Sequence, residues 1–259
     1  MPAEAKYAFA GLVVGALIGV SGMGGGSVMT PLLIALGLPV EKAIGTDLVY
    51  AAATKIVASY RHLRARRVEW RIVNALALGS IPGAFIGVFT KHPLKHAMGT
   101  NGDEALRTIL GIALLTVACF IAWSVWKRPH GPKLGQPLRW PTRKRVITPL
   151  IGVVGGFGVG LTSLGSGTLF ALVLLTWFPL TANRVVGTDV VHATIVVIAA
   201  AIGSTLSGDV VFSSVLWLAV GSIPGVLAGS QLTGILPERL LRGGLAAVLT
   251  LSGVLLLSA

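Results

Sequence analysis

Two copies of one tripeptide, Gly45-Thr46-Asp47 and Gly187-Thr188-Asp189, each place a carboxylate inside a long apolar run. An ionisable group there is costly in lipid, so each aspartate is a candidate for function. His192 follows Asp189 by three residues and shares its helix face. An Asp–His pair beside a water-filled cavity could load and release protons near neutral pH, coupling ion movement to a proton gradient through Asp47, Asp189 and His192. A capping role competes with this reading, because Asp47 lies close behind Glu41-Lys42 and so near the membrane interface.

Two small-residue stretches form the second constellation: Ser21-Gly22-Met23-Gly24-Gly25-Gly26 and Thr162-Ser163-Leu164-Gly165-Ser166-Gly167. Each Gly costs a helix about 1 kcal/mol relative to Ala, so both stretches are predicted breaks. Their unpaired N–H groups must face protein or water, since lipid satisfies none of them. Helices restarting at Ser27 and Thr168 would point their positive ends at the breaks and build an anion site from backbone alone. The expected ligands are Gly24, Gly25, Gly26, Ser27, Thr46, Gly165, Ser166, Gly167, Thr168 and Thr188. Close helix packing is the ordinary alternative, and it fits Gly11, Gly15 and Gly19 at their spacing of four.

Three further groups have mixed readings. Lys42 and Arg184, at equivalent helix entrances, either draw anions into vestibules or snorkel as anchors. Lys55, eight residues after Asp47 and about 9 Å along the axis from Arg61, is expected to snorkel to the cytoplasm. Pro82 and Pro224, each inside Gly-Ser-Ile-Pro-Gly, are hinge or close-packing candidates.

The elements that must position these residues are membrane helices. Of 259 residues, 54% are apolar and 12% charged, and mean hydropathy is +0.83; a soluble domain has about a quarter charged residues. The net charge of +12 sits in short gaps between apolar runs, which fits topology control and excludes nucleic acid as a partner. Cys119, the single cysteine, excludes disulfides and thiolate metal sites. The first apolar run lacks a small-residue cleavage site after it and recurs later, so it is read as mature protein rather than a signal peptide.

Ten apolar segments are predicted, at 7–20, 27–38, 43–60, 72–89, 106–126, 146–159, 168–178, 185–203, 212–232 and 240–257. A span needs roughly 20 residues. The segments 7–20, 27–38, 146–159 and 168–178 are read as too short to cross.

Gly79-Ser80-Ile81-Pro82-Gly83 returns as Gly221-Ser222-Ile223-Pro224-Gly225 at the same offset of 142 as the Gly-Thr-Asp pair. Gly11, Gly15, Gly19, Gly24 and Gly26 meet Gly152, Gly156, Gly160, Gly165 and Gly167 at an offset of 141. An ordered series of this kind marks duplication: repeat 1 at 1–126, a basic cytoplasmic linker at 127–145, and repeat 2 at 146–259. The gap 61–71 carries five arginines, whereas its equivalent 204–211 carries no Lys or Arg. The positive-inside rule then puts equivalent loops on opposite sides and both termini outside, as inverted repeats would. Inverted repeats with interrupted helices are the pattern of secondary transporters.

The break 22–27 followed by Pro31-Leu32-Leu33, then Gly45-Thr46-Asp47, the basic loop after Tyr60 and Gly79-Ser80-Ile81-Pro82-Gly83-Ala84 resemble the TauE/SafE sulfite exporter family of membrane permeases, over essentially the whole chain. The resemblance implies export of a small sulfur oxyanion (sulfite, sulfoacetate or a related organosulfonate) across the bacterial cytoplasmic membrane. The expected fold is all-α and polytopic, with two inverted repeats and helices broken or re-entrant at the Gly-rich segments. Expected partners are a small anionic substrate and the lipid bilayer, with a homodimer as the candidate assembly. No cofactor or metal is expected, and the absence of a nucleophile–base pair speaks against an enzyme. The alternative is a cation or metal permease using Asp47, Asp189 and His192.

Overall fold

The computed structural model describes residues 3–21, 26–99, 102–126, 142–164, 169–178, 180–231 and 238–258. Among these the chain forms ten helices and no strand: α1 (Ala3–Ser21), α2 (Gly26–Ala35), α3 (Val40–Arg64), α4 (Trp70–Ala97), α5 (Gly102–Trp126), α6 (Thr142–Thr162), α7 (Leu169–Trp177), α8 (Ala182–Leu206), α9 (Phe212–Gln231) and α10 (Glu238–Ser258). Five contain stretches long and apolar enough to cross a bilayer: Trp70–Ala97, Gly102–Trp123, Arg143–Thr162, Asn183–Leu206 and Phe212–Gly229. Large apolar side chains such as Leu78, Val154 and Leu216 stand on the outer surface, as in a protein solvated by lipid.

The helix ends follow local chemistry. Gly37, at φ +96°, turns the chain out of α2, and Pro39 precedes α3 where its missing N–H is harmless. Arg61, His62 and Arg64 crowd the last turn of α3, and Asp103 and Glu104 the first turn of α5, each complementing the helix dipole. α2 and α7 have 10 and 9 residues, about 15 Å or less, and are short as expected. α1, at 19 residues, is longer than the expected 7–20, and α6 too differs from expectation. It runs for 21 residues rather than stopping near 146–159, because it continues through Arg143, Lys144 and Arg145, which end the apolar run without ending the helix. The interval expected as linker, 127–145, is therefore helical from Thr142 onward, and 127–141 lies outside the described residues.

Between helices in lipid no hydrophobic drive operates, so association relies on close packing of small residues. The most extensive pairings are α4 with α6 and α1 with α9, followed by α5 with α10 and α3 with α8. At the first two, a Cβ added to Gly11 or Gly15 on α1 would overlap the backbone of Leu218 or Ser222 on α9. The same holds for Gly152 and Gly156 on α6 against Leu76 and Ser80 on α4. These contacts are equivalent under the repeat offsets, with the two halves exchanging roles. Gly79 and Gly221, from the Gly-Ser-Ile-Pro-Gly copies, likewise lie against Pro149 and Ala8, which supports the close-packing reading of those motifs. Pro82 and Pro224 lie inside α4 and α9.

Candidate functional site

Each residue of the Gly-Thr-Asp copies has its own task. A Cβ at Gly45 would overlap the Asp209 carbonyl, and one at Gly187 would overlap that of Arg67, so glycine lets a distant loop dock on each helix. The Thr46 hydroxyl oxygen accepts the Val211 N–H at 3.1 Å, and Thr188 accepts the Glu69 N–H at 3.0 Å. Val211 and Glu69 are themselves repeat equivalents. Thr46 and Thr188, read from the sequence as anion ligands, therefore hold loops with their oxygens.

The third residue turns inward. Asp47 is the eighth residue of α3, whose N-cap is Pro39, and Asp189 is the eighth of α8, whose N-cap is Thr181. Neither caps its helix, and both are buried. Thr30 on α2 donates to Asp47 Oδ2 at 2.5 Å, and Ser163 donates to the same oxygen at 2.9 Å. Ser163 ends α6 in the left-handed region at φ 61°, a conformation that costs a non-glycine residue energy and here carries the hydroxyl to the carboxylate. Asp47 Oδ1 is buried with no hydrogen-bond partner.

Asp189 stands in a different setting. The repeat equivalents of Thr30 and Ser163 are Ala171 and Gly22, which offer no hydroxyl. Its Oδ1 too is buried without a hydrogen bond. Its electrostatic partner is Lys55, which also interacts with Asp47 and His192. Lys55 is only 8% exposed, so the expected snorkel to the cytoplasm is corrected: its side chain is enclosed by the surrounding helices instead of reaching the basic loop. α3 and α8 are tied there by the Thr194 hydroxyl, which donates to the Lys55 carbonyl at 3.2 Å.

His192 is fully buried, and its Nε2 lies 3.0 Å from the Ser80 hydroxyl while its ring meets Phe170 edge-on at 4.4 Å. Its equivalent in the first repeat is Tyr50, also buried, whose hydroxyl approaches Ser222, the equivalent of Ser80, without closing a well-formed hydrogen bond. Among the described residues no three His, Cys, Asp or Glu side chains converge as a metal site.

The other expected residues scatter. Lys42 and Arg184 are exposed, and Arg184 pairs with Glu69 at 3.4 Å. Gly24, Gly25, Gly165, Ser166, Gly167 and Thr168 lie outside the described residues, and Gly26 and Ser27 are described only as the backbone opening α2. A cleft of about 360 Å³ beside α6 and α7 is lined by Leu150, Ile151, Val154, Gly155, Phe170 and Val173 and has nothing polar to hold an anion. The centre is thus built from Thr30, Asp47, Lys55, Ser163 and Asp189, with Ser80 and His192 alongside. Thr30, Ser163 and Ser80 were not found from the sequence. Lys55 could have been: the corresponding residue is Val197, so the cation breaks the repeat inside an apolar run.

Residues 7–256 match the sequence profile of the family described as sulfite exporter TauE/SafE. The chain belongs to this family. A probable membrane transporter protein of Bacillus subtilis (strain 168), YjnA, is 41% identical over 251 residues, covering 95% of this chain and 97% of that protein. A second from the same organism, YdhB, is 25% identical over 250 residues and covers 95% and 96%. The probable membrane transporter protein MJ0441 of Methanocaldococcus jannaschii is 26% identical over 172 residues, covering 63% of this chain and 58% of its own length. No solved structure matches the chain significantly. As a TauE/SafE member with several apolar helices of spanning length, the chain is a multi-pass membrane transporter.

Proposed function

We propose that this TauE/SafE member exports a small sulfur oxyanion, such as sulfite, sulfoacetate or a related organosulfonate, across a bacterial cytoplasmic membrane. It does so as a secondary transporter by alternating access, with no enzymatic step. The two halves are inverted repeats. Exchanging the roles of α1 with α6 and α4 with α9 converts a state open to one side into a state open to the other. Pro82 and Pro224 are the hinges, and Lys42 and Arg184 line the two vestibules.

The observation that supports this reading is the reciprocal docking of loops at Thr46 and Thr188, next in sequence to the buried Asp47 and Asp189 on the packed helices α3 and α8. The substrate binds beside that helix pair, with the expected backbone donors of Gly24 to Ser27 and Gly165 to Thr168 as its ligands. Asp47, Asp189 and His192 carry coupled protons, and the membrane potential adds roughly 2.3 kcal/mol per charge per 100 mV in the outward direction for an anion.

Cation transport is the competing reading, and the two carboxylates against one ammonium at the centre favour it. That no three His, Cys, Asp or Glu side chains converge among the described residues weighs against a shared three-ligand metal site. Melting temperatures of purified protein with sulfite, sulfoacetate or taurine, set against divalent metals, separate the two. Efflux of labelled sulfite from proteoliposomes tests transport itself; stabilisation by metals alone and no anion flux would overturn the proposal.

A further inference from the structure

The Asp47 carboxylate is wholly out of solvent, and its two oxygens are treated differently. Oδ2 accepts from Thr30 at 2.5 Å and from Ser163 at 2.9 Å, whereas Oδ1 has no hydrogen-bond partner. Neither hydroxyl brings a charge, and a carboxylate inside a membrane protein is costly until something neutralises it. Ser163 is the residue after α6, so its hydroxyl also brings the end of that helix to the carboxylate. The last carbonyls of a helix have no partner further along it and form the negative end of its dipole. Helix ends of this sign hold the cations of transporters built from broken helices. The opening of α2, four residues before Thr30, offsets part of the negative charge.

The ligand atoms are oxygens, which suits a hard cation rather than a soft metal. With one carboxylate, a divalent ion would leave a charge uncompensated in the interior, so the set fits a single charge. Threonines within these helices turn their hydroxyls to the carbonyl four residues earlier, as Thr90, Thr148 and Thr205 do. Thr30 turns to Asp47 instead, and rotation to that ordinary partner frees its oxygen for a cation. Around Asp47, α2 and the end of α6 supply hydroxyls; its own helix carries Lys55, which acts on it electrostatically, and Tyr50. Lys55 acts also on Asp189 and His192 of α8, so two carboxylates stand against that one ammonium. At the equivalents of Thr30 and Ser163 the other copy has Ala171 and Gly22, so the oxygen set exists once.

We propose that Asp47, Thr30 and Ser163 form a site for one small monovalent cation, of the sodium class, which competes with the proton for the Asp47 carboxylate. Binding of the ion stands on this geometry alone; its use as the coupling ion rests on the transport reading above.

The full-length chain purified in detergent tests the site. Its melting temperature is titrated with sodium, potassium and choline chloride at one ionic strength, and bound radioactive sodium is counted. Both are done for wild type, Asp47→Asn, Thr30→Val, Thr30→Ser and Ser163→Ala, with melting in choline showing which variants fold. Sodium should raise the wild-type melting temperature more than potassium or choline does, and its binding should saturate and weaken as pH falls. Asp47→Asn should lose both effects. Thr30→Val and Ser163→Ala should each weaken sodium binding roughly tenfold, and Thr30→Ser should restore it.

Three salts that act alike on wild type, or sodium binding that survives Asp47→Asn, would overturn the site and leave anion export standing. Where Asp47→Asn does not fold, the Thr30 pair decides, and equal sodium affinity in Thr30→Val and Thr30→Ser overturns the site. Sodium binding with no efflux of labelled sulfite from proteoliposomes supports the site and removes the anion reading.

Discussion

The Lys91 ammonium of α4 lies 2.7 Å from the Asp209 carboxylate in the loop between α8 and α9, with both side chains out of solvent and His92 Nε2 2.9 Å from the other carboxylate oxygen. This is the loop whose carbonyl rests on Gly45 and whose Val211 N–H is held by Thr46. Close by along α4, Lys95 joins Glu41 at 2.6 Å and Asp103 at 2.7 Å, tying α4 to the starts of α3 and α5. The equivalent of Asp209 is Arg67, so the buried pair has no counterpart of the same sign at the other docked loop. Removing one partner strands a buried charge. Asp209→Ala should destabilise the protein by about 3–5 kcal/mol, whereas the apolar double variant Lys91→Met/Asp209→Leu should recover most of that. Thermal unfolding in one detergent, read for wild type and the two variants, checks the order.

Helix contact through glycine makes a steric expectation. Gly79→Ala and Gly221→Ala push a methyl group into the carbonyls of Pro149 and Ala8 and should each cost about 1–3 kcal/mol by forcing the helices apart. Gly158→Ala and Gly243→Ala, where the new methyl meets open space, should be neutral or raise stability by up to about 1 kcal/mol. Equal melting temperatures across all four would contradict the packing described for α4 with α6 and α1 with α9.

Asp47 supplies a comparison between losing a charge and losing donors. Asp47→Asn keeps an oxygen for Thr30 and Ser163 and should unfold within about 1 kcal/mol of wild type, whereas Thr30→Val/Ser163→Ala strips a buried carboxylate and should cost about 2–4 kcal/mol. Flux tells a second story. Where Asp47 and Asp189 carry the coupled proton, the two asparagine variants flatten the dependence of efflux on pH; an unaltered profile in both would end the coupling role.

Inversion of the repeats is open to direct chemical measurement. Ala65 and Ser207 close α3 and α8 at equivalent positions. In a Cys119→Ala background, Ala65→Cys should react with an impermeant maleimide only after the membrane is opened, and Ser207→Cys from outside intact cells. Labelling from the same side would show parallel repeats and take alternating access by role exchange with it.

Much of this architecture was legible because duplication writes its geometry twice. The close packing at the Gly-Ser-Ile-Pro-Gly copies and the shortness of α2 and α7 follow from spacing, whereas Thr46 and Thr188 of the Gly-Thr-Asp copies hold loops from distant parts of the chain, which spacing does not reveal. α6 was read as too short because hydropathy stops at Arg145, although the helix has no need of apolar residues at its entrance. Lys144 there donates to the Trp177 carbonyl at 2.5 Å and lies 5.1 Å from the centre of the Phe178 ring. The partners of Asp47 were hidden for a different reason: Thr30 and Ser163 are 17 and 116 residues away in sequence, and only the closed fold brings both hydroxyls to one oxygen. Lys55 was judged by its distance along one helix, which is blind to neighbours on another.

The swapped pairing of α1 with α9 and α6 with α4 bears on how such a protein is made and how it arose. While the ribosome is still synthesising the middle of the chain, the glycine groove of α1 has no ridge to fill it, and it must wait in the bilayer until Phe212–Gln231 arrives. A free half would carry one unfilled groove and one unused ridge, complementary to each other. An ancestor of half this length could therefore have been complete only as a pair of chains, and the joining of two genes would have turned an encounter between subunits into a certainty.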